Sequence, residues 1–117
     1  MRVLVADDNP DSVLMLDVLL SDEGHQVQGV YKGDEVLAAM RGFRPDAVLL
    51  DIKMPGLSGY EVARRIHERY GVQRPLLIAI SGHYKQGSDR VLAEIVGFDH
   101  HVPKPCDPHR LLNLLKL

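Results

Sequence analysis

Carboxylate, hydroxyl and ammonium side chains follow apolar segments of the 117-residue sequence at several points. Asp7 and Asp8 follow the first such segment, Asp51 a later one, and Ser81 and Lys104 two more. Oxygen donors without nitrogen or sulfur suit Mg²⁺, which keeps several waters and often shares a phosphate. A carboxylate beside a divalent cation can attack a phosphoryl group, while a lysine and a hydroxyl stabilise the phosphoryl oxygens. These residue types therefore indicate an aspartate that accepts a phosphoryl group.

Such a site requires the five side chains to lie close together. The apolar segments before them predict the strands that would bring them there. Segments 3–6, 47–50 and 76–80 are continuously apolar and too short for helices, as expected of parallel strands buried on both faces. A weaker strand is predicted over 27–30 and another near 99–102. Because these two are the most polar, we expect them at the edges of the sheet.

Helix-length segments separate the strands and carry recognisable start signals. Asn9-Pro10 and Asp107-Pro108 each combine an N-cap residue with proline at the first helical position. Ser58 with Glu61 forms a capping box. The predicted helices begin near residues 10, 34, 59, 86 and 108, and glycines 24, 42, 71 and 97 are expected to end the first four.

The five strand–helix units predict an α/β fold with a doubly wound parallel sheet, strand order 2-1-3-4-5 and five helices on two faces. Residues that follow parallel strands gather at one edge of such a sheet, where open α/β folds bind ligands. The aspartates, Ser81 and Lys104 are therefore expected to meet there.

Four stretches of the chain resemble the signature of response regulator receiver domains. They are VLVADDNPD, VLLDIKMPGLSGYEV, LIAISGH and HVPKP, and the similarity covers essentially the whole chain. The resemblance implies that Asp51 is phosphorylated by a histidine kinase or histidine phosphotransfer domain. It implies that Asp8 binds Mg²⁺ directly together with Asp51 and the Lys53 carbonyl, and that Asp7 acts through water. Mn²⁺ is the expected substitute ion.

The resemblance also implies roles around the phosphoryl group. Ser81 would be the switch hydroxyl, and Lys104 would pair with a phosphoryl oxygen. The Lys104-Pro105 bond would be cis and would aim the lysine inward. Lys53 and His83 would tune the lifetime of the aspartyl phosphate. The chain departs from the family at His101, where Tyr or Phe usually moves with the switch hydroxyl, so the aromatic gating is altered here and the switch is expected to be sensitive to pH.

Composition excludes several other classes of protein. Fourteen basic and 16 acidic residues give a net charge of −2, which argues against a broad nucleic-acid surface. The single Cys106 cannot form an internal disulfide. No apolar run approaches the ~18–20 residues that span a membrane. A cytoplasmic domain that binds neither membrane nor nucleic acid by itself is expected.

Other functions remain open at the sequence level. A Mg²⁺-dependent phosphohydrolase of the haloacid dehalogenase type would need D-x-D after its first strand, but the two aspartates here are adjacent. A flavodoxin-like cofactor binder would need a first loop rich in Ser, Thr and Gly, whereas the aspartates of this loop would repel a phosphate. An unphosphorylated interaction module generally lacks a site residue, whereas none is missing here. The histidines have no zinc-site spacing.

The strand–helix units occupy residues 1–117, which predicts a single domain. The resemblance implies that it is a receiver domain that catalyses no reaction beyond its own phosphoryl transfer and dephosphorylation. Either it stands alone, or it comes from a longer protein such as a hybrid sensor kinase. By resemblance, the face formed by the fourth helix, fifth strand and fifth helix would transmit the signal to an output domain or a second copy.

Overall fold

Five parallel strands form one sheet in the computed structural model, which describes residues 1–82 and 97–116. The spatial order is β2-β1-β3-β4-β5, so the predicted order and edge strands are confirmed. The bounds are β1 Arg2–Ala6, β2 Gln26–Val30, β3 Ala47–Asp51, β4 Leu76–Ser81 and β5 His100–Pro103.

The helices within the described residues start where the sequence places them. They are α1 Pro10–Asp22, α2 Gly33–Phe43, α3 Gly59–Tyr70 and a C-terminal helix Pro108–Leu114, with a 3₁₀ turn Gly71–Gln73 after α3. Asn9, Ser58 and Asp107 cap α1, α3 and the C-terminal helix through their side chains. The helix predicted over 86–96 lies outside the described residues. None of the described helices is long and apolar enough to cross a membrane.

The end of α2 differs from the prediction. The helix continues through Gly42 to Phe43, and its backbone turns into the left-handed region at Arg44, where φ is 52°. A glycine can lie within a helix at modest cost, so its presence near a helix end does not fix the boundary.

The sheet is covered on both faces, which explains its continuously apolar strands. One layer of core packs Val13, Leu16 and Leu20 of α1 and Leu111 of the C-terminal helix against the sheet. The other layer packs α2 and α3, with Val36, Met40, Val62 and Ile66, against the opposite face. Alternate strand residues enter alternate layers, so the position of a residue in its strand determines which face it joins.

Candidate functional site

The carboxyl ends of β1, β3 and β5 bring Asp7, Asp51 and Lys104 to one place. Each of them stands two positions after a core residue of the α1 layer, namely Val5, Leu49 and Val102. Because side chains alternate along a strand, the three polar side chains point to the same side of the sheet. Strand order and alternation together therefore assemble this part of the site.

Lys104 lies between the two buried carboxylates. Its Nζ is 2.9 Å from Oδ2 of Asp7 and 3.1 Å from Oδ2 of Asp51. The side chains of Asp7 and Asp51 are only 3% and 7% exposed, while that of Lys104 is 29% exposed. Burying two carboxylates this close together requires a nearby cation, and Lys104 supplies one.

Backbone amides occupy the other oxygen of each buried carboxylate. The Asn9 amide donates to Oδ1 of Asp7 at 3.0 Å, and the Lys53 amide donates to Oδ1 of Asp51 at 3.3 Å. Asn9 is also the N-cap of α1, where its side chain accepts from the Asp11 amide. The start of α1 and the β3–α3 loop thus hold the two carboxylates in defined orientations.

The surroundings of Asp51 disfavour its charged form. Burial and then repulsion from Asp7 raise the pKa of Asp51, and the hydrogen bonds from Lys104 and the Lys53 amide offset this rise only in part. Burial acts to lower the pKa of Lys104, but its bonds to Asp7 and Asp51 outweigh burial and raise that pKa. A further cation at this site would relieve the excess negative charge.

Three carboxylates are close enough to share such a cation. Asp7, Asp8 and Asp51 each offer an oxygen, and these atoms lie within 4.8 Å of one another. Asp8 is exposed, so solvent can reach its carboxylate. Mg²⁺ prefers oxygen ligands and keeps several waters, and this cluster offers both. One ammonium leaves the three carboxylates with excess negative charge, which the ion would balance. The residues present therefore fit the ion that the sequence predicts.

A groove of about 670 Å³ opens beside Asp8. It is lined by Asp8, Ile52, Lys53, Met54, Pro55, Ser58, Tyr60 and Ser81. Ser81 is 5% exposed, and Lys53 is exposed. The groove is wide enough for a phosphoryl group and part of its donor. Met54 and Tyr60 were not among the candidate site residues, because nothing in the sequence showed that the β3–α3 loop and the start of α3 form a wall of the groove.

The remaining predicted residues are placed as follows. His101 pairs with Ala79 in the β4–β5 ladder, and alternation puts it on the same face of the sheet as Ser81, two positions further along β4. Lys104 adjoins the end of β4, since its amide donates to the Ser81 carbonyl at 2.8 Å. The Lys104–Pro105 peptide is cis. His83 lies outside the described residues.

Comparison with known proteins agrees with this geometry. A family model described as the response regulator receiver domain matches residues 3–116. Protein PilH from Pseudomonas aeruginosa is 32% identical over 115 residues, covering 97% of this chain and 93% of PilH. The DNA-binding response regulator MtrA from Mycolicibacterium smegmatis is 37% identical over 111 residues, covering 95% of this chain and 47% of MtrA. The chain thus spans about half the length of MtrA.

Solved structures give the same result at the level of the fold. The CheY-like response regulator receiver domain protein from Methanospirillum hungatei superposes with a TM-score of 0.87 at 27% identity, covering 97% of this chain and 89% of the other. The order of the strands, the acidic cluster at their carboxyl ends and the match over residues 3–116 agree. This chain therefore belongs to the response regulator receiver domain family, the signalling modules of two-component systems.

Proposed function

We propose that this chain is a phosphorylation-activated switch in which Asp51 accepts a phosphoryl group from a histidine kinase or a histidine phosphotransfer domain. The observation that carries the proposal is the convergence of Asp7, Asp8, Asp51 and Lys104 at one edge of the sheet, beside a groove that reaches Ser81. Burial and hydrogen bonds from the Lys53 amide and the Lys104 ammonium orient the Asp51 carboxylate, as a nucleophile requires.

In the proposed reaction, a carboxylate oxygen of Asp51 forms a bond to phosphorus while the bond between phosphorus and the donor imidazole nitrogen breaks. The imidazole keeps the electron pair of that bond and takes a proton from solvent. Lys104, whose Nζ lies 3.1 Å from Oδ2 of Asp51, would pair with a phosphoryl oxygen. The Ser81 hydroxyl is the proposed hydrogen-bond donor to another phosphoryl oxygen.

Asp8, Asp51 and the Lys53 carbonyl would hold Mg²⁺ or Mn²⁺ directly, and Asp7 would act through water. When bound, the ion would neutralise charge on the carboxylates and on the phosphoryl oxygens.

The exposed face of α1 is the proposed docking surface for the phosphodonor. Leu14, Met15 and Val18 are 62%, 59% and 62% exposed, an unusual run of large apolar side chains on a surface helix. The helix begins at Pro10, two residues after Asp8, so the surface adjoins the acidic edge of the sheet. A partner that buries these side chains would bring its phosphohistidine to the groove.

Signal output involves residues that the described structure covers only in part. We propose Ser81 and His101 as switch residues, and Lys53 and His83 as residues that tune the lifetime of the phosphoryl group. The proposed output face combines β5, the C-terminal helix and the helix predicted over 86–96. An output domain or a second copy of the chain is the proposed partner of that face.

We further propose that residues 1–117 form one receiver domain, placed in the cytoplasm. Receiver domains are signalling modules rather than conventional enzymes, and the proposed chemistry is confined to phosphorylation and dephosphorylation of Asp51. PilH is nearly the same length as this chain, whereas MtrA is about twice as long. Relatives of both sizes support a stand-alone module and a part of a longer protein equally.

The proposal is tested by the intact mass of the protein after incubation with acetyl phosphate. With Mg²⁺, or with Mn²⁺ in its place, the wild type should gain one phosphoryl group, and a chelator should prevent the gain. Asp51→Asn, folded by circular dichroism, should gain none. An equal gain in Asp51→Asn would contradict the assignment, as would no gain in the folded wild type. Many turnovers on a phosphomonoester would instead support a phosphohydrolase.

A further inference from the structure

The strand that precedes Lys104, β5, is the shortest strand of the sheet and lies at its edge. β5 has four residues and pairs only with β4 among the described strands. A register shift of one residue would turn every side chain of a strand to the opposite face. Lys104 follows β5 directly, so its position between Asp7 and Asp51 depends on how firmly the register of β5 is fixed.

Asp99 fixes the beginning of β5. Its amide donates to the Leu77 carbonyl at 2.8 Å, and its carboxylate accepts from the Leu77 amide at 2.8 Å. Arg74 donates to both oxygens of the same carboxylate from its two Nη atoms, at 2.7 and 2.9 Å. A bidentate pair of this kind is more directional than a single ion pair. Asp99 is thereby tied both to β4 and to the turn that precedes it.

The two residues before Asp99 both contact α3. His67 of α3 lies 2.8 Å from the Gly97 carbonyl through Nε2, and the Phe98 ring meets the Tyr60 ring edge-on at 6.5 Å. At the other end of β5, the Lys104 amide donates to the Ser81 carbonyl at 2.8 Å. Both ends of the short strand are therefore fixed by specific contacts.

We propose that Arg74 and Asp99 are positioning residues for Lys104, acting from the opposite end of β5. The inference rests on the proposed function, since it assigns these residues to the same site. Without the Asp99 carboxylate, the Leu77 amide loses its acceptor and Arg74 loses its partner. β5 can then shift along β4, and the Lys104 ammonium leaves its place between the two carboxylates.

The test is a double-mutant cycle on the rate of adduct formation with acetyl phosphate at saturating Mg²⁺. Asp99→Ala should lower the rate about tenfold to a hundredfold, the usual effect of displacing a catalytic group by about 1 Å. The same change in a Lys104→Met background should have no further effect, because the group it positions is gone. Asp99→Asn keeps an acceptor for the Leu77 amide and should lose less activity.

Glu61→Ala is the matched control, because Glu61 also pairs with arginines, Arg64 and Arg65, but within α3. It should leave the rate within about twofold, as exposed ion pairs contribute little. Affinity for Mg²⁺ should not fall in Asp99→Ala, since the proposed ligands lie at the ends of β1 and β3 and loss of the Lys104 ammonium leaves more negative charge on them. The inference would be overturned if Asp99→Ala lowered the rate equally with Lys104 present and in the Lys104→Met background. It would also be overturned if the wild type were phosphorylated and Asp99→Ala were phosphorylated at the same rate.

A second measurement does not depend on phosphorylation. Scalar couplings across hydrogen bonds, measured by nuclear magnetic resonance between Lys104 Nζ and the carboxylate carbons of Asp7 and Asp51, should be present in the wild type. They should be lost in Asp99→Ala and kept in Glu61→Ala. Couplings that persist in Asp99→Ala would overturn the inference even if the wild type accepts no phosphoryl group. This measurement therefore distinguishes a failure of the positioning role from a failure of the proposed function.

Discussion

Lys104 Nζ lies 3.1 Å from Oδ2 of Asp51, although the two residues are 53 positions apart in sequence. This contact joins an edge strand to the centre of the sheet across the end of β4. It places a cation beside a buried carboxylate that would otherwise repel Asp7 without compensation. The same ammonium is available to a phosphoryl group formed at that position, so one residue stabilises the site before and after phosphorylation in the proposed mechanism.

Replacing Lys104 by methionine should make the protein more dependent on Mg²⁺. The change keeps most of the side-chain stem and removes the charge, so without Mg²⁺ the free energy of unfolding should fall by about 1–3 kcal/mol. Addition of Mg²⁺ should raise the thermal midpoint of Lys104→Met more than that of the wild type. Lys53→Met, another lysine of the site, is the control. Equal responses to Mg²⁺ in all three proteins would contradict the prediction.

The raised pKa of Asp51 predicts how stability depends on pH without Mg²⁺. Burial and the charge of Asp7 lift this pKa above its ordinary value of 3.8, so the folded protein binds the proton more tightly than the unfolded chain. That contribution to stability is fully present below pH 3.8 and is lost as pH rises through the raised pKa. Asp51→Asn lacks this loss.

The stability of Asp51→Asn relative to the wild type should therefore increase with pH across that window. Urea unfolding of both proteins in chelator, at a series of pH values, measures the difference, and subtraction removes the titration of shared groups such as Asp99. Mg²⁺ should reduce the difference by compensating the Asp51 charge. A difference that decreases as pH rises would contradict the assignment.

The apolar face of α1 should affect transfer from a protein donor and leave transfer from a small donor unchanged. Leu14→Ser with Val18→Ser should slow phosphoryl transfer from a histidine phosphotransfer domain about tenfold or more, as loss of central interface contacts does. Labelling by acetyl phosphate should stay the same. Val72→Ser is the matched control, because Val72 is equally apolar and fully exposed but precedes β4 at the opposite end of the sheet. Equal slowing with both donors would argue against a docking role.

Gly97 should tolerate alanine much less well than Gly24. Both have positive φ, 94° and 90°, so each substitution strains the backbone by about 1 kcal/mol or more. A Cβ at Gly97 would also collide with the His67 ring, whereas a Cβ at Gly24 meets nothing within 4 Å. Gly97→Ala should therefore cost about 2–3 kcal/mol in urea unfolding. His67→Ala in the Gly97→Ala background should recover part of the loss, and no recovery would place the cost elsewhere.

The predictable part of this molecule follows from short-range signals. The contrast between apolar and more polar strands predicted which strands lie at the centre and at the edges of the sheet. Three cap residues predicted where helices begin. Both signals can be read from residues that are neighbours in sequence. Asp7, Asp51 and Lys104 were predicted to meet because each follows a strand. Their roles in phosphorylation stay predictions.

The contacts that sequence reasoning missed are those between distant residues. Arg74 and Asp99 are 25 positions apart, and neither stands in a motif. Tyr60 lines the groove only because α3 begins close against the end of β3, where a Cβ at Gly59 would press on the Asp51 carbonyl. The end of α2 was missed because a helix can accommodate Gly42 and turn at Arg44 instead.

The central claim is that the Asp51 carboxylate accepts the phosphoryl group. Borohydride reduces an acyl phosphate to an alcohol and so converts a phosphorylated aspartate to homoserine, which tandem mass spectrometry can locate. After treatment with acetyl phosphate and Mg²⁺, homoserine is expected at position 51 and at no other aspartate. Homoserine at Asp7 or Asp8, or unmodified aspartate throughout a folded protein, would contradict it.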